Sequence, residues 1–291
     1  MNLSDIQVRD PFILADKASK TYCLFGSTDG DIWNTGGSFK GYKSKNLKDF
    51  DGPFTLFENT PDFWAQKNFW APEVHYYRGK YYMFASFFSD EKGRGTQILL
   101  CDTPLGRYAP VSSGPVTPEG WMCLDGTLYV DEDCCPWIIF CREWLQVADG
   151  EIWCQRLAPD LTRSAGDPEF LFRASQSGWA ETIKDNEYGI KNAFVTDGPF
   201  VYTTKTGKIL LLWSSFVGGR YAIGVARSKN NKINGEYEHL GPLYEDDGGH
   251  GMVFSDFNNG LYLSIHKPND SPNERAVFLP LEDTGETLVL A

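Results

Sequence analysis

The chain has 291 residues, of which 42% are apolar and 15% aromatic, and its formal net charge is −12. This apolar content can fill a sizeable core and argues against disorder, while an acidic surface repels phosphate backbones, so nucleic acid is not an expected partner. No apolar run is long enough for a membrane helix, and the start, MNLSDIQVRDPF, lacks the basic and apolar regions of a signal peptide. We therefore expect no membrane partner and a cytoplasmic location, or a secreted or periplasmic one if a signal peptide has been removed.

The seven cysteines are an odd number, and no pair has the C-x-x-C spacing of a zinc site. Several lie within apolar strand patterns, where cysteine behaves as a small hydrophobic residue. This usage favours a reducing compartment. The residues give no indication of oligomeric state.

Five strand–turn–strand units follow one another along the chain. Each joins two short runs rich in Val, Ile, Tyr, Phe and Trp through a turn rich in Gly, Asp, Asn, Ser or Lys. In chain order the first strands are FILAD, VHYY, TLYVD, FVYTT and VFSDF, and the second strands are TYCLFGS, YYMFAS, PWIIFC, ILLLWSS and LYLSIH. Most units are followed by another strand-like segment, such as ILLCDTPLGRYAP.

Roughly five repeats of four short strands predict an all-β fold, a five-bladed β-propeller with a central active-site pocket. No composition shift marks a second domain, so we expect residues 1–291 to form one propeller domain. A β-sandwich is the alternative, but it would not need self-similar hairpins at intervals of roughly 50–70 residues, near or somewhat above the usual repeat length of a propeller blade.

Charged residues stand at the start of each predicted unit. In a propeller the innermost strand of every blade starts at the same end of the channel, so equivalent residues form a ring around one axis. The predicted ring contains Asp10, Glu73, Asp125, Asp197 and His250. Four carboxylates around one axis raise each other's pKa, and such a cost is found mainly at a functional site or around a bound cation.

The segments RDPFIL, WAPEVHYYRGKYYMFAS, LDGTLYVD, TDGPFVY and GGHGMVF, in this order, resemble glycoside hydrolase family 43 over essentially the whole chain. The resemblance implies a carbohydrate substrate, such as an arabinofuranoside or a xyloside, and hydrolysis with inversion. It also implies that Asp10 is the general base and that Asp125 orients the acid and tunes its pKa. Inversion requires a base and an acid about 6.5–9.5 Å apart, with room for water between them.

The identity of the general acid is left open by the sequence. The family normally has Glu at the start of the fourth blade, where this chain has Asp197. Glu143 is a second candidate, because it follows the second strand of the third blade and returns to the end of the channel where Asp125 begins. Its longer side chain could compensate for the missing glutamate, which slightly favours Glu143.

His250 is the candidate metal-associated residue, since the family often places here a histidine near a calcium ion held mainly through waters. No organic cofactor is expected. Aromatic and polar residues at the predicted mouth are candidates for substrate binding: Trp33, Phe69, Trp70, Glu73, Trp144, Arg220 and Tyr221.

Together these features predict an inverting, exo-acting glycosidase, with α-L-arabinofuranosidase as the best single prediction. β-Xylosidase and β-D-galactofuranosidase are alternatives within the family. A non-catalytic carbohydrate-binding propeller is an alternative of another class, motivated by the missing glutamate. A phosphorylase-like propeller is a weaker one, because few basic residues lie near the mouth.

Overall fold

The computed structural model describes residues 1–28, 32–33, 37–184 and 186–291. Its strands form five four-stranded antiparallel sheets, and each sheet is built from four strands that are consecutive in the chain. The predicted five-bladed β-propeller is confirmed.

The blades divide the chain in order. The first two contain β1 (Arg9–Asp16), β2 (Thr21–Ser27), β3 (Ser38–Ser44), β4 (Phe50–Glu58), β5 (Lys67–Tyr77), β6 (Lys80–Ser89), β7 (Gly93–Cys101) and β8 (Ala109–Pro110). The last three contain β9 (Cys123–Val130), β10 (Pro136–Arg142), β11 (Glu151–Arg156), β12 (Glu169–Arg173), β13 (Asp197–Thr203), β14 (Ile209–Val217), β15 (Arg220–Ser228), β16 (Tyr237–Tyr244), β17 (Gly249–Ser255), β18 (Leu261–Lys267), β19 (Arg275–Asp283) and β20 (Leu288–Leu290). A short helix, α1 (Trp144–Val147), follows β10.

Each hairpin predicted from the sequence forms the two inner strands of one blade. Residues Thr21–Ser27 of β2 are all buried, as expected for a strand covered by neighbouring blades on both faces. Between the first two blades the core is a cluster of phenylalanines that includes Phe39, Phe57, Phe63, Phe69 and Phe87. Large apolar side chains therefore fill the wedge between blades and hold the inner strands around the axis.

The first and last blades share no strand, so other contacts must close the ring. The amide of Val8 donates to the carbonyl of Glu274 at 3.3 Å, and the guanidinium of Arg275 donates to the carbonyl of Ser4 at 2.8 Å. Ser264 Oγ also donates to the carbonyl of Pro11 at 2.8 Å. These bonds join the two ends of the chain beside the first inner strand, which carries Asp10.

The inner strands share a backbone irregularity that positions the channel residues. Near the start of each inner strand, the regular pairing with the second strand of the blade is interrupted. At each interruption one residue of the inner strand has a positive φ. These residues are Asp10 (57°), Ala71 (46°), Asp125 (55°), Gly198 (49°) and His250 (47°). A left-handed residue in an extended strand redirects the chain locally, and the repeated irregularity therefore defines the true ring of equivalent positions.

The amides of these left-handed residues donate to the preceding blade. The acceptors are Ser27 Oγ for Ala71, Ser86 Oγ for Asp125, Ser214 Oγ for His250 and His266 Nδ1 for Asp10. In the third blade Cys141 occupies the position of these serines in the strand register, and the amide of Gly198 donates instead to Asp125 Oδ2 at 3.0 Å. The fourth blade is thus tied directly to a channel carboxylate.

All seven cysteines are free thiols. Within the described residues, no helix combines the length and the apolar character needed to cross a membrane.

Candidate active site

One cavity of about 490 Å³ opens at the end of the channel where the inner strands begin, and this is a typical size for a small-ligand site. Four of the five predicted ring residues line it: Asp10, Asp125, Asp197 and His250. Asp197 was predicted to occupy the same ring position as Asp10, Asp125 and His250. The structure corrects this prediction, because Gly198, and not Asp197, occupies the left-handed position in the fourth blade. Asp197 lies one residue earlier, in the position of Arg9 in the first blade.

Asp10 is a buried carboxylate surrounded by donors. Its Oδ2 accepts from Ser27 Oγ at 3.1 Å, and its Oδ1 lies 3.2 Å from His250 Nδ1 and 3.7 Å from Arg9 Nε. Burial alone would raise the pKa of Asp10, but His250, His266 and Arg9 together hold it well below its usual range. Asp10 is therefore ionised and able to accept a proton.

The pKa values of Asp125 and Asp197 are shifted in the opposite direction to that of Asp10. Burial raises the pKa of both carboxyls above the usual value, because little water is left to solvate their charges. Repulsion from Asp10 raises both further, while His250 opposes the shift. The hydroxyl of Tyr221 also donates to Asp197 Oδ2 at 3.0 Å. The cavity thus holds one carboxyl suited to accept a proton and two that retain one at higher pH.

His250 lies between these carboxyls. Its Nδ1 is 3.6 Å from Asp125 Oδ2, in addition to its contact with Asp10. Burial alone would lower the pKa of His250, but Asp10, Asp125, Asp197 and Glu73 raise it. The imidazolium balances part of the negative charge that the carboxylates concentrate here.

The predicted calcium ion stays a prediction. Among the described residues, no three His, Cys, Asp or Glu side chains are arranged to ligate a metal ion directly. The Nδ1 atom of His250 faces Asp10 and Asp125 and is occupied by these carboxylates. The residues present therefore do not fit a directly ligated metal, and no chemical step is assigned to one.

Glu143, the second candidate for the acid, lines the same cavity. It lies between β10 and α1, where its Oε2 accepts from Arg94 Nε at 3.1 Å in a buried ion pair. The Arg94 guanidinium also lies over the ring of Trp70, 3.9 Å from its centroid. Protonation of Glu143 would weaken this ion pair.

Aromatic residues form the walls of the cavity. Trp33, Trp70, Trp144 and Tyr221, all predicted from the sequence, line it together with Tyr188. The rings of Trp33 and Trp70 meet edge to face at 5.3 Å, and those of Trp144 and Tyr188 do so at 5.7 Å. Trp33 and Tyr188 are 48% and 58% exposed, so part of each ring surface is open to the cavity, while the Arg9 guanidinium lies over the ring of Trp33.

Three residues predicted to bind substrate lie elsewhere. Phe69 is buried in the phenylalanine cluster between the first two blades, where its contacts are other rings. Glu73 lies two residues beyond the left-handed position of its strand, and its Oε2 contacts His75 Nε2 at 3.0 Å. Arg220 is exposed and ion-paired with Asp246 at 3.5 Å. None of the three is part of the cavity lining.

Sequence reasoning missed several residues of the site. Arg94 is the second residue of the third strand of its blade, and a charged residue just before the apolar run TQILLC was the signal that sequence reasoning could have used. Tyr188 lies in a long connection with no strand pattern, so nothing in the sequence indicated it. His266 accepts from the Asp10 amide at 3.2 Å, but in the sequence it is only the polar end of an apolar strand.

The sequence profile of glycosyl hydrolases family 43 matches residues 4–281. The chain belongs to glycoside hydrolase family 43. This membership agrees with the cavity, where carboxyls of lowered and raised pKa occur together, and it establishes a glycosidase that acts on a carbohydrate. A comparison with curated proteins gave no significant match.

Solved structures agree with the fold and the family. The endo-arabinase from Bacteroides thetaiotaomicron VPI-5482 is 42% identical, with a TM-score of 0.91 and coverage of 99% of both chains. A thermostable family-43 glycoside hydrolase is 22% identical, with a TM-score of 0.78 over 98% of this chain and 92% of that one. The α-L-arabinofuranosidase from Lactobacillus brevis is 17% identical, with a TM-score of 0.74 over 99% and 97%. The last two show the fold alone.

Proposed function

We propose that this family 43 enzyme hydrolyses α-L-arabinofuranosyl linkages with inversion at the anomeric carbon. The observation that carries the mechanism is the opposite direction of the pKa shifts of Asp10 and Asp197 in one cavity. Inverting hydrolysis needs such a pair, because one carboxylate deprotonates water while one carboxylic acid protonates the leaving oxygen.

In this mechanism Asp10 removes a proton from a water molecule as that water attacks the anomeric carbon. Asp197 gives its proton to the glycosidic oxygen, so the bond to the leaving group breaks with a neutral leaving alcohol. Asp125 accepts from the amide of Gly198, the residue after Asp197, at 3.0 Å, and so it holds the strand start that carries the acid. We assign the acid to Asp197 rather than to Glu143, because Asp197 has a raised pKa and Glu143 is engaged by Arg94.

The choice of sugar is supported by the endo-arabinase, which is 42% identical over nearly the whole chain. Two modes of attack on the polysaccharide are candidates. Exo cleavage, the mode predicted from the sequence, removes single arabinose units from a chain end. Endo cleavage is the second candidate, favoured by the similarity to an endo-arabinase.

One set of assays tests these proposals. The purified protein is incubated with nitrophenyl α-L-arabinofuranoside, β-xyloside and β-D-galactofuranoside, and with linear and branched arabinan. We expect arabinosides to be the best substrates, and a higher kcat/KM for xylosides or galactofuranosides would contradict the sugar assignment. Early products of linear arabinan separate the modes, since exo cleavage yields arabinose alone and endo cleavage yields oligosaccharides. Proton NMR of the first product gives the anomer, and a retained anomer would contradict inversion.

A further inference from the structure

The ion pair of Arg94 and Glu143 is built into the wall of the active-site cavity where the second and third blades meet. Arg94 is the second residue of β7, and Glu143 follows β10. Both side chains are almost fully removed from solvent, at 6% and 4% exposure. The proposed hydrolytic steps use neither residue, so this buried pair has no role yet.

The guanidinium of Arg94 has an N–H group without a hydrogen-bond acceptor in the described part of the chain. Its Nε donates to Glu143 Oε2 at 3.1 Å, but its buried Nη1 has no hydrogen-bond partner in the described part of the chain. A buried donor left without a partner destabilises the folded state, and a charged donor does so more than a neutral one. An unpaired donor beside a cavity can bond a hydroxyl group of a ligand that enters it.

The charges around Arg94 indicate the class of that ligand. The described lining holds six acidic residues, two arginines and one histidine: Asp10, Asp125, Glu143, Asp197, Glu187, Asp270, Arg9, Arg94 and His250. Arg9 contacts Asp10 and Glu274, and Arg94 is paired with Glu143. His250 contacts Asp10 and Asp125. The positive charges of the lining are therefore balanced within the protein, and the carboxylate of a uronic acid would meet a surplus of negative charge.

We propose that Arg94, oriented and neutralised by Glu143, binds a hydroxyl group of a neutral sugar and makes the cavity selective for neutral sugars over uronic acids. Trp70 assists by holding the guanidinium plane from one face, at 3.9 Å from its ring centroid. Such a residue determines specificity and does not take part in proton transfer. The inference rests on the proposed glycosidase function but not on arabinose being the sugar.

The test measures binding separately from turnover. Calorimetry in an Asp10→Asn background follows the binding of neutral arabino-, xylo- and galacto-oligosaccharides and of a galacturono-oligosaccharide. Arg94→Lys keeps the charge beside Glu143 and removes the planar fork of donors. We expect Arg94→Lys to lower the affinity for the best neutral ligand about 10- to 100-fold, the range for a hydrogen bond to a charged group. We expect Glu143→Gln to lower the ratio of the affinities for neutral and galacturono-oligosaccharides at least threefold.

A double variant separates this role from a structural one. Arg94→Met with Glu143→Leu removes both charges together, which buried ion pairs often tolerate. A merely structural pair predicts unchanged affinity in a folded double variant, whereas the proposal predicts the same loss as Arg94→Lys. Arg173→Lys is the matched control, because Arg173 Nε contacts Glu151 Oε1 at the same 3.1 Å outside the cavity lining.

The outcomes are distinct. Neutral-ligand affinity within twofold of the parent in Arg94→Lys overturns the proposal, as does a galacturonide that binds the parent as tightly as any neutral sugar. If the double variant fails to fold, Arg94→Lys alone decides. If xylo-oligosaccharides and not arabino-oligosaccharides bind and are hydrolysed, the arabinoside function fails while the role of Arg94 is still decided by the same comparison.

Discussion

The hydroxyl of Tyr221 donates a hydrogen bond of 3.0 Å to Oδ2 of Asp197, and both groups lie in the active-site cavity. Tyr221 is the second residue of β15 and Asp197 the first residue of β13, so one blade supplies both. This bond favours the ionised carboxylate and lowers the pKa of Asp197, while burial, the larger effect, raises it. Tyr221 therefore limits the increase in the pKa of Asp197, the proposed general acid.

Replacing Tyr221 with Phe tests that relationship. The substitution removes a group that stabilises the carboxylate, so the pKa of Asp197 rises further. The general acid works only while protonated, and kcat/KM falls as the pH rises through its pKa. We expect the alkaline limb of the kcat/KM profile of Tyr221→Phe to move to higher pH than in the parent enzyme. An alkaline limb that stays in place, or moves to lower pH, would contradict the assignment.

Tyr202→Phe is the matched control for that experiment. The hydroxyl of Tyr202 also donates to an aspartate, Asp283 Oδ2, at 3.0 Å, and this pair lies outside the cavity lining. We expect its pH profile to coincide with that of the parent. A shift in both variants would show that the change reflects loss of stability rather than titration of Asp197.

Asp10→Asn removes the proposed base and keeps its shape. We expect kcat to fall by roughly 10²- to 10⁴-fold, the usual contribution of a general base. Circular dichroism and the melting temperature show whether the fold is intact. The control is Asp246→Asn, which changes an exposed carboxylate away from the cavity. Near-parental turnover by folded Asp10→Asn would exclude Asp10 as the base.

The sequence predicted the fold well, because every blade repeats one local pattern, an apolar run, a polar turn and a second apolar run. The predictions of Asp10, Asp125 and His250 as channel residues rested on the same periodicity. Phe69 and Glu73 were placed wrongly because a run such as NFWAPEV contains an irregularity. The left-handed Ala71 changes which side chains face the channel, and an alternating pattern carries no sign of it.

Contacts between blades were the least predictable part of the site. Arg94 and Glu143 are 49 residues apart in the chain and meet only because neighbouring blades converge at the mouth. Asp125 and Gly198 are joined in the same way, across 73 residues. No local sequence pattern encodes contacts between residues so far apart in the chain. The order of the motifs, which indicated the family, is visible in the sequence itself.

Gly198 is the ring position where a side chain is excluded most clearly. Its φ is 49°, and a Cβ atom there would lie 2.7 Å from the ring of His250. We expect Gly198→Ala to lower the melting temperature and to reduce kcat, because the His250 ring must move away from Asp10 and Asp125. Gly207→Ala is the control, since Gly207 also has a positive φ, 83°, but nothing within 4 Å of its added Cβ. Equal melting temperatures and activities in the two variants would mean that the contact with His250 is unimportant.

The general acid can be identified by comparing, for each variant, the loss of kcat/KM on substrates with poor and with good leaving groups. A poor leaving group needs a proton to depart, and a good one such as dinitrophenolate does not, so loss of the acid affects natural linkages most. We expect Asp197→Asn to lower kcat/KM on arabino-oligosaccharides by roughly 10²- to 10⁴-fold and on a dinitrophenyl arabinofuranoside by much less.

Glu143→Gln is the comparison variant, and its expected pattern differs. If Glu143 serves only to orient Arg94, its replacement weakens binding of the sugar and lowers kcat/KM on both substrates by a similar factor. A large differential loss in Glu143→Gln, with similar losses on both substrates in Asp197→Asn, would reverse the assignment and make Glu143 the acid. Similar losses on both substrates in both variants would exclude both residues. The ion pair between Glu143 and Arg94, which a protonated Glu143 would give up, is the reason to expect the first pattern.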